Sequence, residues 1–110
     1  MKRKHTPEGA LQRLVLDWLA AKHIFAIRMN VGAILMQESP GTRFLRFGVP
    51  GMADILAFPQ VNGAPDIVWL ELKAPKGKQS ELQKSFQAKV ESEGHKYLLI
   101  RDLSELEEQL

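Results

Sequence analysis

The stretch from Asp54 to Lys73 constrains this chain more than any other. It holds two apolar runs, Asp54-Ile-Leu-Ala-Phe-Pro59 and Ile67-Val-Trp-Leu-Glu71-Leu-Lys73, on either side of Asn62-Gly63. Asn-Gly between two such runs is a strong hairpin signal, because both residues tolerate the positive φ angles of a tight turn. With that turn as the tip, Asp54 falls opposite Glu71. Opposed side chains leave one face about 4.5–5.5 Å apart at Cβ. Lys73 lies two residues beyond Glu71 and points to the same face. Charges seldom occupy buried strands unless they are paired or bind a metal. Two carboxylates and an ammonium then converge where a hard divalent cation finds oxygen ligands. Two features oppose this register. Pro59 and Pro65 cannot donate ladder bonds, and a slip of one residue sends Asp54 to the other face.

The runs at 54–58 and 67–72 are apolar on both faces, as central strands covered on both sides must be. Helices are available to cover them. Thr6-Pro7 opens the first, with a Thr N-cap and Pro at the first helical position. Its stripe is Leu11, Leu14, Val15, Trp18 and Leu19. Ser80-Glu-Leu-Gln83 is a capping box that opens a second helix, with Leu82, Phe86 and Val90 as its stripe and Gly94 as its stop. Ser104-Glu-Leu-Glu107 repeats the pattern for a short last helix. Phe25–Asn30 and Tyr97–Ile100 read as strands. Ile34–Gln37 and Phe44–Phe47 read as a hairpin about Ser39-Pro40-Gly41-Thr42, which pairs Glu38 with Arg43, Met36 with Leu45 and Ile34 with Phe47. The order of elements predicts an α/β fold, a three-layer sandwich of helix, mixed sheet and helix.

The 110 residues suffice for a single domain, residues 1–110, with Met1–His5 as a frayed basic arm. No apolar run approaches the roughly 18 residues of a membrane span. The absence of Cys excludes disulfides and thiolate chemistry. Net charge is only +2. Yet Lys and Arg outnumber Asp and Glu up to Lys78, and the reverse holds beyond it. A basic front suits a polyanion; an ordinary solvated surface is the plainer account. The loop holding Lys73, Lys76 and Lys78 has the same two readings, solvated turn or phosphate holder. Gly48-Val-Pro-Gly51 punctuates two strands and can also let a phosphate backbone approach closely; the two readings are compatible.

The chemistry these residues support is metal-assisted phosphodiester hydrolysis. Asp54 and Glu71 would hold Mg²⁺ or Mn²⁺, with the Leu72 carbonyl as a backbone ligand. Lys73 would orient or help deprotonate water, or stabilise an anionic transition state. Glu8 is either a first-turn acid favoured by the helix dipole or a third acid aimed at the metal. A Glu-x-Lys triplet alone is weak, and a structural acid–lysine network is the alternative. His5, His23 and His95 lack ligand spacing and read as surface or helix-end residues. No nucleophile elbow or phosphate loop occurs.

At these residues the chain resembles the PD-(D/E)xK nuclease superfamily, and within it the VRR-NUC family. The similarity runs from Pro7 to about the C-terminus. It covers Glu8, Arg28-x-Asn30-x-Gly32, Arg46-Phe-Gly48, Gly51-Met-Ala-Asp54, Glu71-Leu-Lys73 and Gln83. The family's Pro-Asp dipeptide is Ala53-Asp54 here, which alters the neighbour of the acid and not the acid. The resemblance implies a restriction-endonuclease-like fold and an endonuclease dependent on Mg²⁺ or Mn²⁺. In it Asp54 and Glu71 are metal ligands, Lys73 the catalytic lysine, Glu8 an accessory acid and Gln83 an active-site helper. Arg28 and Arg46 join Lys76 and Lys78 as DNA contacts. It further implies a homodimer acting on branched DNA such as Holliday junctions, in the cytoplasm of a bacterial or phage-infected cell. The apolar pairs of the 34–47 hairpin are one candidate dimer surface, and packing within the monomer is the other use for them. A non-catalytic DNA-binding module that kept the fold is the alternative function.

Overall fold

Asn62 and Gly63 both take positive φ, 52° and 80°, and close the central hairpin as the sequence predicts. The computed structural model describes residues 7–29, 33–38, 41–46 and 50–110, with side chains from Glu8 to Met29 and from Pro50 onward. Helix α1 spans Pro7–Ala21 and is followed by strand β1, Phe25–Arg28. Strands β2, Ala33–Glu38, and β3, Gly41–Arg46, form a two-stranded sheet of their own. Strand β4, Ile55–Phe58, leads through the short pair β5, Gln60–Val61, and β6, Ala64–Pro65, to β7, Val68–Leu72. Helix α2, Glu81–Ser92, strand β8, Lys96–Ile100, and helix α3, Leu103–Gln109, complete the chain.

The main sheet has the order β1-β4-β7-β8. The first three strands are antiparallel, and β8 returns parallel to β7 after α2, so the sheet is mixed. A parallel return needs a crossover, and α2 is that crossover. Leu11, Val15 and Leu19 of α1 and Leu106 of α3 bury against Ile55, Ala57, Val68, Leu70, Leu72 and Ile100. The alternate residues of β7 and β8 face the other way. Trp69 and Tyr97 pack there with Ala53, and with Phe86 and Val90 of α2. Helices thus cover both faces of the α/β fold, which is why β4 and β7 lack the polar alternation of a half-exposed strand. No helix among the described residues is long and apolar enough to cross a membrane.

Several expectations need correction. Leu14 is 52% exposed and Leu82 is 59% exposed, so neither belongs to its helix's buried stripe. Each lies at the edge of an apolar arc that a flat sheet contacts only along its centre. The β2–β3 register is Glu38↔Gly41, Met36↔Arg43 and Ile34↔Leu45, two residues tighter than the pairing centred on Pro40-Gly41. Arg43 therefore opposes Met36, and Glu38 loses its ion-pair position. The observed register gives every residue of β2 a partner in β3, from Ala33↔Arg46 to Glu38↔Gly41. Ser39, Pro40 and Phe47 lie outside the described residues, as do the basic arm, Thr6, His5, Asn30, Gly32, Gly48 and Val49. The side chains of the hairpin do too, so its use as a dimer surface or as packing lies there as well. The last helix begins earlier than Ser104. Asp102 is its N-cap, accepting the Glu105 N–H while Glu105 reaches back to the cap's own N–H. An Asp at the cap outcompetes a Ser two residues later, because its carboxylate also faces the positive end of the helix dipole.

Candidate active site

The acid pair begins with an irregularity in the ladder. Pairing of β4 with β7 is regular up to Ile55↔Leu70. The next residue, Asp54, does not sit squarely opposite Glu71. Its N–H donates to the Leu70 carbonyl at 3.0 Å, so Leu70 is opposed by both Asp54 and Ile55. Two residues against one is a β-bulge, which re-aims the side chain at its start. The Asp54 carbonyl accepts the Met29 N–H at 2.8 Å on the other side, so its backbone is held from both neighbouring strands. Re-aimed in this way, the carboxylate accepts the Leu72 N–H at 2.8 Å through Oδ2. A slip had threatened to part Asp54 from Glu71. The bulge keeps them together by a route the simple ladder does not contain.

Glu71 is 2% exposed, the only buried charged side chain among the described residues. Its Oε2 accepts from Gln83 Nε2 at 3.2 Å and its Oε1 from the Tyr97 hydroxyl at 3.4 Å. Burial pushes its carboxyl up to about 8, and the charge of Asp54 and a hydrogen bond between the two acids add to this. The Lys73 ammonium and the Tyr97 hydroxyl pull the other way and do not prevail. The arrangement is two carboxyls that cannot both ionise cheaply without a cation. Burial, with Glu71 beside it, raises the Tyr97 hydroxyl above its ordinary range and keeps it protonated as a donor.

Gln83 has two tasks. As the N3 residue of the α2 capping box, its Oε1 accepts the Ser80 N–H at 2.8 Å, while Ser80 Oγ accepts the Gln83 N–H at 3.1 Å. Its remaining Nε2 is what reaches Glu71. The helix start is itself fixed by Gly51. At φ 79°, a Cβ on this residue would lie 2.3 Å from the Leu82 carbonyl oxygen. The glycine is thus required by the first turn of α2.

Glu8, Gly9, Gln12, Asp54, Glu71, Leu72, Lys73 and Gln83 line one cavity of about 270 Å³. Every residue expected at the metal or in catalysis is among them. Leu72 presents its carbonyl there, because the N–H and C=O of one strand residue point to the same edge and its N–H is bound to Asp54. Glu8 stands on the wall. Among the described residues no three His, Cys, Asp or Glu side chains gather as a metal-ligand cluster, so the close acids are a pair with Glu8 further off. Lys76 and Lys78 are exposed on a turn outside the cavity, a turn tied down by Arg101 Nη2 on the Gly77 carbonyl at 2.9 Å. Arg28 is exposed at the end of β1, opposite Ile55. Arg46 is placed by its backbone only, opposite Ala33. Among the histidines, His23 ends the turn after α1 at positive φ, and His95 Nδ1 accepts the Trp69 indole N–H at 3.0 Å.

Sequence reasoning missed Tyr97, Gln79 and Gln12. Gln79 Nε2 donates to both the Tyr97 hydroxyl and Gln87 Oε1, at 3.0 Å each. Tyr97 carried one available signal, since a buried Tyr needs a partner for its hydroxyl. No family model, curated protein or solved structure matches the chain.

Proposed function

We propose that the chain is a divalent-cation-dependent DNA endonuclease with a restriction-endonuclease-like sandwich fold, a member of the VRR-NUC family, acting on branched DNA as a homodimer. One observation carries the reading. A buried Glu71, its carboxyl raised first by that burial and then by its neighbour Asp54, shares a small polar cavity with Lys73. A structural ion pair would favour ionised partners, whereas this pair gains most from an added cation.

The donors suit a hard cation. Two carboxylates and the Leu72 carbonyl supply oxygen only, as Mg²⁺ or Mn²⁺ prefers. When bound, such an ion supplies Lewis acidity, making water more acidic and offsetting charge on the phosphate. The chain's own residues do the rest. Gln83 and Tyr97 hold the two oxygens of Glu71 in one rotamer. The backbone of Leu72 and the bulge orient Asp54. Lys73 Nζ has three N–H donors for the attacking water or for a phosphate oxygen. Lys76, Lys78, Arg28 and Arg46 supply positive charge for flanking phosphates.

A panel of linear, flap, fork and four-way DNA, with Mn²⁺ or chelator, tests the reading alongside a solution mass. Expected are cutting of branched DNA only with the metal, loss of it in Asp54→Asn, and a dimer mass. Salt-sensitive binding without any cutting would instead establish the non-catalytic module.

A further inference from the structure

Both oxygens of Glu71 are held from the start of α2, one directly and one through an intermediary. Gln83 reaches Oε2 itself, whereas Oε1 accepts from the Tyr97 hydroxyl. Tyr97 is 7% exposed, and its hydroxyl in turn accepts from Gln79 Nε2 at 3.0 Å. The other N–H of the same amide goes to Gln87 Oε1, also at 3.0 Å. A line of hydrogen bonds thus runs from Gln87 on α2 through Gln79 and Tyr97 to Glu71. The chain around Gln79 is tied down on both sides. Before it, the Gly77 carbonyl accepts from Arg101. After it, Ser80 is the N-cap locked in the α2 capping box.

The line has a direction, and Gln79 sets it. A hydroxyl has one proton to give. With Gln79 donating to it, Tyr97 gives that proton to Glu71. Turning over the Gln79 amide alone would set its Oε1 against Gln87 Oε1, two acceptors face to face. Turning over both amides would reverse the line, so that Tyr97 donates to Gln79 and shows Glu71 a lone pair. An ionised carboxylate only accepts. A Glu71 that ligates a cation is therefore compatible with the forward direction alone. A hydrogen bond to the charged form favours that form and fixes which lone pairs remain for a metal.

We propose that Gln79 is a positioning residue for the cation site: held by Gln87, it turns the Tyr97 hydroxyl so that its proton points at Glu71 and keeps that carboxylate ready for a divalent cation. Gln79 acts through Tyr97 and lies outside the cavity of the acid pair. The inference rests on the proposed function for its cation, while the direction of the line belongs to the metal-free protein. Two substitutions of the same charge separate direction from plain electrostatics. In Gln79→Glu the new carboxylate can only accept, so it draws the Tyr97 proton away from Glu71 and locks the line in reverse. In Gln87→Glu the new carboxylate accepts the N–H that Gln87 accepts now, and locks the line forward. Each adds one negative charge near the site, and charge alone would tighten cation binding in both.

The test is calorimetric titration of Mn²⁺ into the whole chain, with thermal melts and nitrogen–proton NMR spectra of the side-chain amides in chelator. Gln79→Glu should weaken Mn²⁺ binding about tenfold. Gln87→Glu should bind at least as tightly as wild type. Gln79→Met, which only removes the donor, should weaken binding by a smaller factor. In a Tyr97→Phe background Gln79→Glu should weaken it no further, because no hydroxyl remains to turn. A Gln79 that only stabilises the fold would lower the melting temperature and leave Mn²⁺ affinity alone. In chelator, Tyr97→Phe should move one of the two Gln79 side-chain N–H resonances upfield and leave its partner, bound to Gln87, in place. Undiminished Mn²⁺ binding in Gln79→Glu and Gln79→Met, or Gln79 resonances indifferent to Tyr97→Phe, overturns the proposal. A wild type that binds no Mn²⁺ while the resonance moves brings down the nuclease reading and leaves the orientation of Tyr97 by Gln79 standing.

Discussion

Glu71→Gln should make the metal-free protein more stable, although it removes a side chain placed at the centre of the site. The wild-type carboxyl is 2% exposed and pushed up to about 8, from an ordinary 4.5. At pH 7 it is therefore protonated in the folded state by about ten to one, whereas the unfolded chain has released that proton. Folding takes up a proton between these two values, so stability falls as pH rises from 4.5 to about 8 and is level beyond. Holding the proton at pH 7 sets a ceiling of about 3 kcal/mol on the loss. The open cavity lets in solvent and lowers this to about 2 kcal/mol. An amide has the same shape, no charge to bury and an N–H to give to Asp54 where the proton stood. Against this it loses one of the hydrogen bonds that Glu71 accepts from Gln83 and Tyr97, worth about 1 kcal/mol and less than the burial cost near pH 8. The variant should therefore melt about 6–12 °C above wild type near pH 8. The gap should narrow as the pH falls towards 4.5. Thermal melts in chelator across this range read the difference directly. A variant that melts at or below wild type at pH 8, or a gap that does not change with pH, would refute the electrostatic account of the pair.

Three further outcomes follow from the same geometry. Lys73→Ala should lower metal-dependent cutting by about 10²–10⁴-fold, with Mn²⁺ affinity kept, in single-turnover assays; wild-type rates would remove Lys73 from catalysis. Tyr97→Phe deletes a donor that lowers the Glu71 value, so the acid limb of the pH–rate profile should move to higher pH by less than about one unit; a shift to lower pH would reverse the role assigned to that hydroxyl. Gly51→Ala places a Cβ into the Leu82 carbonyl at positive φ, and the urea midpoint should show a loss of about 3 kcal/mol. A loss under about 0.5 kcal/mol would mean that α2 does not need that approach.

The central hairpin was legible because Asn62-Gly63 restricts the turn and the buried runs restrict the register, and two constraints agree on one answer. The capping box at Ser80 was legible for the same reason, since its partners lie three residues apart and need no tertiary knowledge. The bulge at Asp54 was not. It depends on where a third strand, through Met29, pulls the Asp54 carbonyl, and no local pattern encodes that. The network behind Glu71 was hidden likewise, because Tyr97 and Gln79 reach it only once β8 lies parallel to β7. Leu14 and Leu82 were misplaced because spacing identifies an apolar arc and cannot say how much of it a neighbour covers. The β2–β3 register was misjudged because Pro-Gly invites a turn centred on itself, while the ladder closes one residue earlier.

The account depends on Asp54 and Glu71 acting together as the seat of one divalent cation. Calorimetric titration of Mn²⁺ into the protein at pH 7, in two buffers of different ionisation heat, measures this most directly. The predicted result is saturable binding that releases close to one proton, because Glu71 must give up its own, and loss of that binding in Asp54→Asn. Absence of binding in the wild type, or undiminished binding in the variant, would contradict it.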